Sequence, residues 1–179
     1  YRRQRQMCIR DSVYPLYKGE KPRQTTEKTI KSAITKGYET VKHTHISDYQ
    51  TLYNRVKFTL SGDTASEKLP TDIRVKQLQQ GFTDDASLKV LWFNLSRYLL
   101  ISASRPGTLP SNLQGVWNTF EKAPWNGNFQ SNINLQEMYW GCGPTQLPEC
   151  EEAYLEWIEG LVEPGRKTAG EYYGTKGWV

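Results

Sequence analysis

The chain is poor in the side chains that most often hold metals or run redox chemistry: 179 residues contain three cysteines and two histidines. Cys142 and Cys150 stand eight apart, too sparse for a disulfide framework and without the histidines of a zinc site. Cys150 falls on the apolar face of a helical pattern, where a thiol acts as a small hydrophobe, and neither cysteine reads as catalytic. His43 and His45, with Asp48 nearby, lack a third ligand at suitable spacing. No metal and no organic cofactor are expected. Long apolar runs are missing too, none reaching the ~18 residues of a membrane span. Basic charge is scarcer than the net +4 suggests. Residues 1–12, YRRQRQMCIRDS, supply +3 through four arginines and Asp11, leaving +1 for residues 13–179. Such a chain carries no field to attract nucleic acid or an anionic membrane. The first twelve residues have no apolar periodicity and read as a non-native tail rather than a basic arm, so they are set aside.

What the chain does have is helical periodicity. From Thr26, a plausible N-cap, Ile30, Ala33, Ile34, Gly37, Tyr38 and Val41 recur at the 3.6-residue period. RVKFTL, residues 55–60, alternates apolar and polar and predicts a half-buried strand. A short helix is expected after Pro70, capped by Thr71 and stopped by Gly81. Asp84 or Asp85 opens the strongest pattern, with Leu88, Leu91, Trp92, Leu95, Tyr98, Leu99 and Ser102 in one stripe. It should end near Arg105, before Pro106 and Gly107. Another helix is expected to begin around Leu135. A last one starts at Pro148, with Glu149, Glu151 and Glu152 in its first turns and Cys150, Tyr154, Trp157, Ile158 and Leu161 as its core face. Pro164 should kink or break it. The domain reading is a tail at 1–12, the end of an N-terminal region and a helical linker over 13–83, and the start of a helical domain over 84–179.

Between the two strongest helical patterns lies RPGTLPSNLQGVWNTFEKAPWNGNFQSNINLQEMYW, residues 105–140. It holds three of the six tryptophans (Trp117, Trp125, Trp140) among neutral amides, including Asn112, Gln114, Gln130, Asn132 and Asn134. Amides donate and accept as hydroxyls do, and ring faces pack on the C–H surface of a sugar. The alternative is a Gly/Pro/Asn-rich loop whose tryptophans fill a core.

Three stretches carry a resemblance: RYLLISASRPGTLPSNLQGVWN (Arg97 to Asn118), Pro124–Trp125, and NINLQEMYW (Asn132 to Trp140). Together they resemble glycoside hydrolase family 95, the inverting α-L-fucosidases and related α-L-galactosidases. The likeness spans Val13 to Val179 and is clearest from Leu69, where LPTD (Leu69 to Asp72) resembles a family turn. His45, Asp48 and Tyr49 resemble the family's linker, with a structural hydrogen-bonding role implied. The implied fold is mainly α, a fragment of an (α/α)6 barrel preceded by a helical linker and a short β segment. The family is much longer, so the chain is expected to be an internal slice. Several apolar faces would then lack partners, which argues against independent stability. The implied ligands are oligosaccharides or polysaccharides carrying α-L-fucose or α-L-galactose, and the implied location is extracellular or periplasmic.

In the family, asparagines at the positions of Asn132 and Asn134 orient and activate the attacking water, with help from an aspartate, while a glutamate is the general acid. Both carboxylates lie downstream in family members and have no counterpart here. If the Asn132–Asn134 run is extended, alternation puts both amides on one face. Trp117, Trp125, Asn112 and Gln114 would shape the cleft. Two departures stand out. Glu137-Met138-Tyr139-Trp140 replaces a common M-N-Y-W, and Gln130 occupies a sugar-facing position where His or Thr is common, which leaves L-fucose against L-galactose open. Glu137, the only acid near the amides, reads as a helix-surface residue, with a sugar-contacting or supporting role as the alternative. A second class of function, a non-catalytic helical carbohydrate-binding or scaffold module, fits the same residues.

Overall fold

A computed structural model describes residues 22–62, 65–81 and 84–179. The proposed tail at 1–12 lies outside the described residues. The chain divides into two compact units, Tyr1–Thr51 and Leu52–Val179.

In the first unit the single expected helix is two. Helix α1 (Pro22–Lys36) starts four residues before Thr26, with proline at its first position, where the absent N–H is no loss. It ends at Gly37, whose φ of 76° is left-handed and whose N–H is shared by the carbonyls of Ala33 and Ile34. Helix α2 (Tyr38–Tyr53) follows at once. His43 and His45 are exposed on α2. Among the described residues, no group of three His, Cys, Asp or Glu side chains is placed to hold a metal ion.

The second unit is helical throughout its regular structure. After a 3-10 turn (Ala65–Lys68) come α3 (Thr71–Gln79) and α4 (Ala86–Ala103). A second 3-10 turn (Pro124–Gly127), α5 (Ile133–Tyr139) and α6 (Pro148–Tyr173) complete it. The expected strand at 55–60 does not form. Residues 56–60 have no ladder, and the one β-bridge among the described residues joins Asn112 to Gly115. The reason lies in partners distant in the chain. Arg97 donates to the carbonyl of Val56 (3.1 Å), and Phe58 packs its ring on Phe93 of α4 (4.7 Å between centroids). The segment therefore lies against a helix rather than beside another strand.

Arg97 is itself buried, which helical periodicity did not suggest. Its guanidinium also donates to the carbonyls of Tyr53 (2.8 Å), Leu52 (3.2 Å) and Thr145 (3.4 Å). Leu52 and Tyr53 close α2, so the cation sits at a helix's negative end. Asp85, one of the two expected caps for α4, accepts the N–H of Leu88 (2.9 Å) and a two-pronged ion pair from Arg74 (2.8 Å on each arm). Pro70, rather than Thr71, takes the cap position of α3.

The core is small. Leu88 and Ile101 of α4, Leu135 and Tyr139 of α5, Cys142, Leu147, and Cys150, Ala153 and Ala169 of α6 are buried. Of the stripe expected to bury α4, Leu88 is buried but the rest faces outward: Leu91, Trp92, Leu95, Tyr98 and Leu99 are exposed, Trp92 by 64%. A helix apolar around most of its girth needs neighbours on several sides. The described residues supply only one, the side holding Leu88, Arg97 and Ile101. Helix α6 runs unbroken from Pro148 to Tyr173 despite Pro164. One missing N–H removes a single hydrogen bond, and the 26-residue helix retains its others.

Candidate active site

The loop after α4 is built from turns. Ser104, at the C-cap, is extended (φ −133°, ψ 113°), which stops the helix just before Arg105, Pro106 and Gly107. Pro110 and Ser111 are buried, and the loop then turns sharply. The Asn112 side-chain oxygen accepts the N–H of Gln114 (2.8 Å), and the Asn112 carbonyl accepts that of Gly115 (2.8 Å). Gly115 is left-handed (φ 64°), and a Cβ there would lie 3.1 Å from the Trp117 ring, so glycine is what lets the indole cover the turn. The next turn, Pro124–Gly127, lies beside this one. A Cβ on Gly127 would stand 3.7 Å from Nδ2 of Asn112.

The tryptophans here do not fill a core. Trp117 and Trp125 are 50% and 71% exposed, and Trp140 is exposed as well. The loop is anchored by Phe129, whose ring meets Trp157 of α6 (5.1 Å). Trp125 and Asn126 are consecutive left-handed residues (φ 49° and 57°), and Gln130 is a third (φ 50°). Each such residue costs about 1–3 kcal/mol and persists only where surroundings impose it, a pattern concentrated at functional sites.

Asn132 and Asn134 are not in a strand. Asn132 is the N-cap of α5 (φ −68°, ψ −166°), and Asn134 lies in its first turn. The even spacing that would align them in an extended run instead separates them around a helix start. Asparagine is a preferred N-cap because its oxygen satisfies an orphan N–H. Here that bond is not made. The amides of Asn132 and Asn134 are exposed and make no hydrogen bond within the described residues. Gln114 differs: its side-chain oxygen is buried without a donor among the described residues.

Behind these amides is a buried hydrogen-bond chain that sequence reasoning missed. The Ser104 hydroxyl donates to the Cys150 carbonyl (2.7 Å), which uses its single proton. The 2.7 Å bond between Ser104 and Tyr139 must therefore be donated by the phenol. The phenol oxygen accepts the N–H of Ser111 (2.9 Å). Burial raises the Tyr139 pKa above the ordinary phenol value, so it stays a donor. Its ring stacks on Tyr154 (5.0 Å, 16°). Tyr139 lay within the NINLQEMYW signal, but nothing in the pattern pointed to Ser104 and Ser111 as its partners.

Glu149 and the two described cysteines have structural settings. Arg55 grips Glu149 by both arms (2.7 and 2.8 Å) and holds its carboxyl down at about 2, so Glu149 carries no proton to donate near neutrality. Burial pushes the thiols of Cys142 and Cys150 up to about 12 and 11, far from the thiolate a nucleophile needs. Glu137 is exposed on α5. Two cavities, of about 410 and 440 Å³, flank α6 and share Gln136 and Tyr154. Asn112, Gln114, Trp117, Trp125, Gln130, Asn132 and Asn134 line neither; Asn112 and Gln114 are half-buried and the other five are exposed.

The candidate site thus combines exposed indoles, unpaired amides and left-handed turns on a helical frame. Comparison with known proteins makes this specific. The family model for the glycosyl hydrolase family 95 catalytic domain matches residues 37–179. Alpha-L-fucosidase 2 of Arabidopsis thaliana is 43% identical over 152 residues, 84% of this chain and 18% of that protein. Probable alpha-fucosidase A of Aspergillus niger is 37% identical over 165 residues, 91% of this chain and 21% of that protein. Its Aspergillus oryzae counterpart is 36% identical over 167 residues, 91% of this chain and 23% of that protein. The chain belongs to glycosyl hydrolase family 95 and is a helical part of its (α/α)6 barrel catalytic domain. It spans about a fifth of the length of these relatives.

Proposed function

We propose that this chain supplies one wall of the catalytic cleft of a hydrolase that removes terminal α-L-fucosyl or α-L-galactosyl residues from glycans with inversion. The observation that carries this reading is Asn132, an asparagine in the N-cap position that does not cap. Capping contributes about 1 kcal/mol. Forgoing it leaves the Asn132 amide free for a ligand, and the Asn134 amide in the first turn of α5 is exposed as well. Two amides can fix a water molecule through both donated and accepted hydrogen bonds. An amide oxygen is a weak base, so the proton that leaves the water must pass to a carboxylate from elsewhere in the whole protein. As the water oxygen bonds to the anomeric carbon, the glycosidic C–O bond breaks, and a second carboxyl protonates the departing oxygen. An inverting site keeps those two carboxyls about 6.5–9.5 Å apart to admit the water.

Trp117 and Trp125 offer the ring faces, while Asn112, Gln114 and Gln130 surround them with amides. The names of the relatives favour L-fucose. A non-catalytic binding module would use the same indoles and amides, but the match to a catalytic domain weighs against it.

The test is kinetic and uses the whole protein that carries this chain. Asn132→Ala and Asn134→Ala should each lower kcat on an aryl α-L-fucoside by about 10²–10⁴, the reach of acid–base assistance. KM should move far less, because sugar contacts elsewhere persist. If both variants fold and keep the wild-type kcat, the asparagines do not act in the reaction.

A further inference from the structure

The residues proposed to meet the sugar come from two separate pieces of chain, the half-buried Asn112–Gln114 turn and the exposed start of α5. Exposed loops drift unless something buried holds them, and a misplacement of about 1 Å can cost 10²-fold in rate. The chain of donors through Tyr139 joins these pieces. Tyr139 is the last residue of α5, whose first turn carries Asn134 and whose cap is Asn132. Leu135 and Tyr139, one turn apart, form the buried face of this seven-residue helix. The Tyr139 hydroxyl receives the N–H of Ser111, the residue before Asn112 (2.9 Å). It passes its own proton toward Ser104, at the end of α4, and Ser104 binds the Cys150 carbonyl in the first turn of α6 (2.7 Å each). Ser104, Ser111, Tyr139 and Cys150 are all buried, so water cannot replace a lost partner.

We propose that Tyr139 is a positioning residue: its hydroxyl fixes the Asn112–Gln114 turn relative to the asparagines that open α5. It touches neither sugar nor water. The proposal rests on the catalytic reading of Asn132 and Asn134 given above. A phenol suits the task because its one oxygen both accepts from a backbone N–H and donates to a hydroxyl, while its ring is held flat against Tyr154. Phenylalanine would keep the stack and lose both bonds.

The experiment compares Tyr139→Phe, Ser104→Ala and wild type in the whole protein, with an aryl α-L-fucoside as substrate and kcat referred to folded molecules. Tyr139→Phe should lower kcat by about 10–100-fold, with a smaller change in KM and both limbs of the pH–rate profile in place. Ser104→Ala removes the phenol's acceptor but leaves the Ser111 bond, so its loss should be smaller. The double variant should be no worse than Tyr139→Phe. Wild-type kcat per folded Tyr139→Phe molecule, with only a lower melting point, would overturn the proposal. Should Tyr139→Phe fail to fold, wild-type kcat in Ser104→Ala together with unchanged amide exchange over 111–115 and 132–136 would overturn it. A wild-type protein without fucosidase turnover sinks the catalytic reading instead. Amide hydrogen exchange then decides the tether separately: faster exchange over 111–115 and 132–136 in either variant supports it, and unchanged exchange removes it.

Discussion

Asp85 shows how much one carboxylate can hold in place. It caps α4 through Leu88 and binds both arms of Arg74, all out of contact with water. The Arg74 guanidinium is the largest influence drawing its pKa below the ordinary carboxylate range. Glu149 is a second such group, at about 2 beneath Arg55 against an ordinary value of 4.5. A carboxyl whose folded pKa lies below its unfolded one adds stability above the unfolded value, and that stability disappears as pH falls toward the folded value. The melting temperature should therefore be level above about pH 5 and decline as pH falls from 4.5 toward 2. Glu149→Gln should make the upper part of that decline shallower, and an unaltered slope would show that the Arg55 pair adds nothing. Removing one partner of the buried pair, as in Asp85→Ala, should cost about 3–5 kcal/mol, because it strands Arg74 without its counter-charge. Chemical unfolding of the folded protein measures that loss.

At the scale of elements, α4 is the anomaly. Its buried side is set by Leu88, Arg97 and Ile101, while Leu91, Trp92, Leu95, Tyr98 and Leu99 meet water. In an (α/α)6 barrel a helix is flanked by others, so we expect this stripe to be covered in the whole protein. The two settings make opposite predictions for one substitution. Leu95→Lys in this chain alone places a charge on a side that is already wet, and helix content by circular dichroism should be unchanged. In the whole protein the same lysine would enter an apolar contact, lowering folded yield and melting temperature. Equal tolerance in both settings would mean that the stripe stays exposed.

On the scale of the whole molecule, the two carboxyls most strongly held in the ionised form are both taken by arginines. Glu149 is committed to Arg55, and Asp85 to Arg74. The chain by itself should therefore show no turnover of an aryl α-L-fucoside above an Asn132→Ala, Asn134→Ala control, and measurable turnover would place the acid and base within it. Much of this molecule was legible as sequence. Helices α3, α4 and α6 follow from apolar spacing, from Asp85 as a cap and from Pro148 at a first position, because these signals act within one or two turns. The family was legible in the residues 97–140 for the same reason, since motifs are local. Other features depended on partners distant in the chain. Residues 55–60 alternate like a strand, yet a strand exists only when another pairs with it, and Arg97 and Phe93 claimed the segment first. Asn132 and Asn134 have strand-like spacing, but α5 begins between them and turns them apart. Arg97 is charged and buried because carbonyls some 40 residues away converge on it. Tyr139 could be read as part of a motif. Only tertiary structure made it the junction of three helices and a loop, because a hydrogen bond needs both partners within about 3 Å and sequence separation sets no such distance.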